Sequence, residues 1–162
     1  MKRLLTFFAA AVLALCSWAQ STQDFAARFM ESLSGNDEVK CVTVGPKMLT
    51  TLAGIEDAGS RNGLKEWTDG VKSIRIVTSQ SDSDELRKDA VAMLKANRKR
   101  YSPYRPKGNA DYGDCLWVRK VKNKTVELVY VAPHSEKGFM VMDFTGRISD
   151  GFVENIMRPE ED

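Results

Sequence analysis

The chain is poor in the residues that most often carry chemistry. Its 162 residues include one histidine, His134, in a short segment (133–138) that reads as a loop. A nucleophile activated by a neighbouring imidazole therefore has a single candidate base. The three cysteines, Cys16, Cys41 and Cys115, are far apart and show no zinc-ligand spacing. There is no glycine-rich phosphate loop and no calcium loop closed by a bidentate Glu. These absences point to no cofactor and no metal. Paired carboxylates stay available, since 22 Asp and Glu are present, but abundance alone names no site.

Long apolar runs are missing too. The longest, 4–15, falls short of the roughly 20 residues a membrane-spanning helix needs. It follows Lys2 and Arg3 and precedes Ser17, Trp18 and Ala19, the small-residue pattern of an export leader, so residues 1–19 read as a signal peptide cleaved before Gln20. No transmembrane segment is expected in the mature chain. Cys16 offers a lipoprotein as the alternative, against which stands Leu15, where a lipidated cysteine is normally preceded by Gly, Ala or Ser. The destination is periplasmic or secreted. Without Lys2 and Arg3, the 24 basic groups become 22 against 22 acidic ones. A neutral domain lacks the basic field that drives nucleic-acid binding, so nucleic acid is not an expected partner. In an oxidising compartment Cys41 and Cys115 are open to two states, a disulfide or two free thiols.

What is present is one segment, 112–156, in which alternation, turn residues and a helix signal agree. Runs 114–121, 125–132 and 139–145 read as strands, followed by a capped helical turn over 149–157. Upstream, Phe25, Phe29 and Leu33 recur on one helical face after the cap hydroxyls of Ser21 and Thr22. Residues 39–44 form a short strand, and Gly45-Pro46 restarts the chain as a helix with Pro46 in its first position and Met48, Leu49, Leu52 and Ile55 as its apolar stripe. A glycine-bearing loop, 56–70, leads to a strand over 71–78. Then comes the best amphipathic helix, 82–99, with Leu86, Ala90, Met93 and Leu94 on one face. Pro103 and Pro106 keep 101–113 out of the sheet centre, as a loop or an irregular edge strand. The order is α-β-α-β-α-β-β-β-α. The fold class is α+β: a two-layer sandwich with a mixed, mostly antiparallel sheet, a C-terminal meander and helices packed on one face. Residues 20–162 form a single domain.

Hairpin register decides which side chains face the helices. A three-residue loop of Val121, Lys122 and Asn123, with Asn123 left-handed, pairs Val118 with Val126 and Leu116 with Leu128. The helices are then expected on the Leu116 and Leu128 face. A two-residue loop shifts this by one residue and sets Trp117 beside Leu128. In the favoured register the second face carries Trp117, Val129, Val131, Phe139 and Val141 among Arg119, Thr125, Glu127 and Asp143. That face is too apolar for solvent. Trp117, Val129, Phe139 and Val141 are accordingly the candidate binding residues, for a protein partner or a homodimer, with the 101–112 segment folded over Trp117 as the self-contained alternative. A basic cluster of Lys95, Arg98, Lys99, Arg100, Arg105 and Lys107 with Tyr101 and Tyr104 reads as a solvated helix end or an anion-binding patch.

With these residues laid out, the chain resembles a family of small exported proteins of Gram-negative gut bacteria known as domain of unknown function 4252. The likeness lies in Cys41-Val42-Thr43-Val44 with Pro46-Lys47-Met48, in Val71-Lys72-Ser73-Ile74-Arg75-Ile76, in Val118-Arg119-Lys120, in Val126-Glu127-Leu128-Val129, and in Phe144-Thr145-Gly146-Arg147-Ile148. None is a catalytic signature. The resemblance implies an exported α+β domain of this element order and brings no assigned activity or site residues. The proline-rich 101–107 segment departs from the more regular one expected there. The function expected is a non-catalytic binding or interaction module of the cell envelope, with a carboxylate-dependent hydrolase as the alternative.

Overall fold

In the computed structural model, residues 23–56, 69–80, 83–105, 114–132 and 138–156 are described. The leader with Cys16, the cap candidates Ser21 and Thr22, most of the 56–70 loop, Lys107 and His134 lie outside them. Among the described residues four helices and six strands follow the expected order with one strand, β3, added: α1 (Phe25–Ser32), β1 (Lys40–Val44), α2 (Pro46–Glu56), β2 (Val71–Ser79), α3 (Ser83–Ala96), β3 (Ser102–Pro103), β4 (Leu116–Val121), β5 (Lys124–Val131), β6 (Phe139–Ile148) and α4 (Asp150–Ile156). The strands form one open sheet in the order β1-β2-β6-β5-β4-β3, and every neighbouring pair is antiparallel. This is an α+β sandwich. Among its described residues the proline-rich stretch supplies the two-residue β3, at the sheet edge, where a missing N–H disrupts nothing.

The β4–β5 hairpin corrects the expected register. Lys122 and Asn123 both have positive φ, 49° and 63°, so the turn is the two-residue kind whose twist matches the strands. Val121 pairs with Lys124 and Lys120 with Thr125. An irregularity then inserts Val126, and beyond it Val118 faces Leu128 while Leu116 faces Tyr130. The extra residue cancels the one-residue slip a two-residue loop would have caused. Leu116, Val118 and Leu128 therefore still share a face, and Trp117 and Val129 share the other.

The layer arrangement is also corrected. Helices α1 and α3 cover the Trp117 face, with α1 against β2 and β6 and α3 over β6 and β5. Phe25, Phe29, Leu86, Ala90, Leu94 and Tyr101 pack there with Trp117, Val129, Phe139 and Val141. Each aliphatic or aromatic side chain buried in this way contributes about 1.5–3 kcal/mol. The apolar content of that face is the physical reason: it is the larger core, and the two helices with the clearest apolar stripes close it. The Leu116 face receives the short α4, whose Phe152 and Val153 pack with Leu116, Val118, Leu128 and Phe144. Phe152 meets Phe144 edge-on at 5.2 Å. Ser149 caps α4, its Oγ accepting from the Phe152 N–H at 3.1 Å. Helix α3 docks through Leu86 and Leu94, as its periodicity required.

Candidate functional site

Helix α1 is eight residues long and carries no acid in its first turn. Three amide N–H groups at its start lack intrahelical acceptors, and each meets a different carboxylate. Asp24, the N-cap, accepts from Ala27 N at 2.8 Å. The other two acids come from the sheet: Phe25 N donates to Glu127 Oε1 at 2.7 Å, and Ala26 N donates to Asp143 Oδ2 at 2.8 Å. Glu127 and Asp143 are both at 0% exposure. The negative charge of Glu127 sits at the positive end of the helix dipole, where it is stabilising.

Arginines and one hydroxyl complete the cluster. Arg119 lies directly opposite Glu127 on β4, and its Nε reaches Glu127 Oε2 at 2.5 Å. Tyr101 donates its hydroxyl to Glu127 Oε1 at 2.8 Å, and Arg100 Nη2 stands 3.9 Å from Oε2. Arg75, opposite Asp143 in the β2–β6 register, donates from Nε to Asp24 Oδ2 at 2.8 Å. The Arg28 and Arg100 guanidinium carbons each lie 5.6 Å from the Tyr101 ring centroid, and Arg100 also donates to the Gln23 carbonyl.

Burial, with the charge of Glu127 next to it and that of Asp24 behind, pushes the Asp143 carboxyl well above the usual carboxylate range; the Ala26 N–H and Arg75 pull the other way and lose. Asp143 Oδ1 is buried with no hydrogen-bond partner. An oxygen left bare beside a second carboxylate suits a protonated acid better than an anion. Burial and Glu127 likewise hold the Tyr101 phenol above its ordinary value, so it remains a donor. Cys41 and Cys115 are free thiols, both half-buried and both raised by burial.

The arrangement has the ingredients of acid–base chemistry, but both acids are closed off from solvent. Neither of two open grooves is lined by Glu127 or Asp143: one of about 400 Å³ is lined by Asp37, Glu38, Lys40, Thr78, Ser79 and Gln80, and one of about 300 Å³ by Gln23, Arg28, Glu31, Ser32 and Met93, at the outer rim of the cluster. Glu127 and Asp143 instead anchor the start of a helix to the sheet. Among the described residues no group of three or more His, Cys, Asp or Glu is placed to hold a metal ion.

Trp117, Val129, Phe139 and Val141 are brought together as the alternation required, but under α1 and α3, with exposures of 1%, 0%, 4% and 0%. They are core side chains here, covered by the chain itself, and Glu127 and Asp143, interleaved among them on that face, form a buried polar centre with Arg119. In the basic cluster, Lys95 pairs with Asp114 at 2.5 Å and Tyr101 and Tyr104 are buried, while Arg98, Lys99 and Arg105 are exposed. Sequence reading did not pick out Glu127 and Asp143 as a unit. A signal existed: two acids interleaved on a strand face with the apolar Trp117, Val129, Val131, Phe139 and Val141.

An open α+β sandwich whose first helix is held by acids of the sheet is the class this geometry defines. The chain belongs to the family described as Domain of unknown function (DUF4252), whose model matches residues 29–150. Comparison with curated proteins and with solved structures gave no match.

Proposed function

We propose that this protein is an exported domain of the cell envelope that works by binding another polypeptide rather than by catalysis. Export is supported by the leader-like residues 1–19, with Lys2 and Arg3 ahead of the apolar run. Among the described residues no helix is long and apolar enough to cross a membrane. The observation that carries the binding reading is where the molecule leaves apolar groups open. Val42, on edge strand β1, is 57% exposed, and Met48, in the first turn of the helix that follows, is 54% exposed. The acids at the centre are closed away beneath α1.

A hydrolase acting through Glu127 and Asp143 is the second reading, favoured by one observation, the raised Asp143 carboxyl beside a second carboxylate. It requires α1 to lift from the sheet before a substrate can arrive.

Two measurements test the first reading. Intact mass of the protein from the envelope fraction should begin at Gln20; a diacylated Cys16 would make it a membrane-anchored lipoprotein, and retention of residues 1–19 in the cytoplasm would end the export reading. A photo-crosslinking residue at position 42 should give a discrete adduct of defined mass in intact cells, and one at exposed Lys88 should not. No adduct at 42, or the same adducts at both positions, would defeat the binding reading.

A further inference from the structure

The sheet has two edges, and they are finished differently. At the β3 edge the outer strand is two residues long and half of it is Pro103, which has no N–H to offer. Short length and proline are the devices by which natural sheets prevent edge-to-edge pairing. The β1 edge carries neither. Its five residues, Lys40 to Val44, contain no proline, and they pair with β2 residue for residue with no bulge. Among the described residues nothing pairs with the outer side of β1. Every second residue of that strand therefore presents its N–H and C=O outward. Val42, at the middle of the strand, is one of three large hydrophobic side chains classed as exposed among the described residues, and Met48 follows just after the strand.

We propose that β1 pairs with β1 of a second copy, antiparallel and centred on Val42, joining two six-stranded sheets into one. This deepens the binding reading above and rests on it. The two-fold register through Val42 pairs the whole strand with its copy: Val42 faces Val42, Cys41 faces Thr43, and Lys40 faces Val44, so no like charges oppose each other. Charge outside the strand is complementary in the same register. Asp37 and Lys47 lie equally far from Val42 along the chain, both are exposed, and neither has an ion-pair partner among the described residues. Antiparallel pairing brings the Asp37 end of each copy to the Lys47 end of the other. Side chains on the joined face are continuous as well. Val42, Ile76, Met142, Tyr130 and Leu116 form one cross-strand row, half-open from Ile76 to Tyr130, and the pairing extends this row across the axis through the facing valines.

The mature chain tests this directly. Light scattering after size exclusion should show a concentration-dependent dimer. The dimer should be lost in Val42→Lys, which sets two ammonium groups opposite each other at the axis, and in Thr43→Pro, while Val42→Lys keeps the unfolding midpoint that the parent shows at concentrations where it is monomeric. In a Cys41→Ser/Cys115→Ser background, Val42→Cys should oxidise to a linked dimer, since directly opposed Cβ atoms stand about 5 Å apart. Lys40→Cys should not, because its opposite number is the other copy's Val44. A dimer that survives Val42→Lys, or Lys40→Cys linking as readily as Val42→Cys, overturns the proposal. A chain that stays monomeric overturns it too. In that case a position-42 photo-adduct with a different protein leaves the binding reading standing, and the absence of any adduct removes both.

Discussion

Glu127 and Asp143 stand on adjacent strands and accept hydrogen bonds from successive backbone amides, Phe25 N at 2.7 Å and Ala26 N at 2.8 Å, so the sheet supplies two of the acids at the start of α1, beside the N-cap Asp24. Both carboxylates are out of solvent. Removing either leaves a buried donor without its acceptor, so the seating of α1 depends on both.

Glu127→Ala strips acceptors from Phe25 N, the Tyr101 hydroxyl and Arg119 at once. Breaking a buried charged network of this kind costs about 3–5 kcal/mol. Urea unfolding at neutral pH should show that loss, and Glu127→Gln, which keeps one acceptor oxygen, should lose less. If Glu127→Ala costs no more than an ordinary surface change, α1 is not anchored through this residue.

Asp143 gives a pH dependence of known sign. Its folded-state carboxyl titrates above the unfolded value, so in the interval between the two the folded state holds more protons and stability falls as pH rises. Below the unfolded value the term is fully favourable, and above the folded value it is lost. Groups facing the carboxyl are Glu127 from β5, Asp24 from the α1 cap and Arg75 from β2. Asp143→Asn removes the titration, so its stability relative to the parent should improve as pH rises through the interval from the usual carboxylate range upward. A difference that stays flat or shrinks with rising pH would contradict the raised Asp143 carboxyl.

Trp117 and Val42 should respond oppositely to substitution. Trp117 is 1% exposed in the helix-covered core, and Trp117→Ala should cost about 3–5 kcal/mol of unfolding free energy. Val42→Lys, at an exposed position, should fall within about 0.5 kcal/mol of the parent when measured on the monomer. Equal effects at the two sites would place the core on the other side of the sheet.

Two glycines separate backbone strain from helix propensity. At Gly146, φ is +135°, and a Cβ would lie 2.2 Å from the Gly70 carbonyl oxygen and 2.7 Å from Lys72 N. Gly146→Ala should therefore destabilise by about 1–3 kcal/mol. Gly151 sits within α4 with nothing within 4 Å of a Cβ, so Gly151→Ala should be neutral or stabilising by up to about 1 kcal/mol. Thermal melts of the pair, shifted in opposite directions, are the expected result.

Much of the fold was legible in the chain. Phe25 and Phe29, Leu86 and Leu94, and Pro46 at the first position of α2 announced three helices. Alternation from Leu116 to Phe144 announced the meander, and Pro103 lies in the edge strand to which its missing N–H confined it. Even the partition of the β4 and β5 side chains between two faces held, because the Val126 irregularity offset the two-residue turn. The register itself did not, since a turn and a compensating bulge leave the same parity as the three-residue loop expected.

The sequence by itself determined element order, the α+β class and which side chains share a sheet face, because these follow from periods of 3.6 and 2 and from turn residues, all short-range properties. Only the tertiary structure decided which face the helices take and what the acids on it do. Both faces of the meander are apolar enough to be covered, so alternation cannot rank them. The choice falls to the fit between the α1 and α3 stripes and the Trp117 face, and to the union of Glu127 and Asp143 with the Phe25 and Ala26 amides. Those amides lie 102 and 117 residues away along the chain, and no local pattern relates groups so distant.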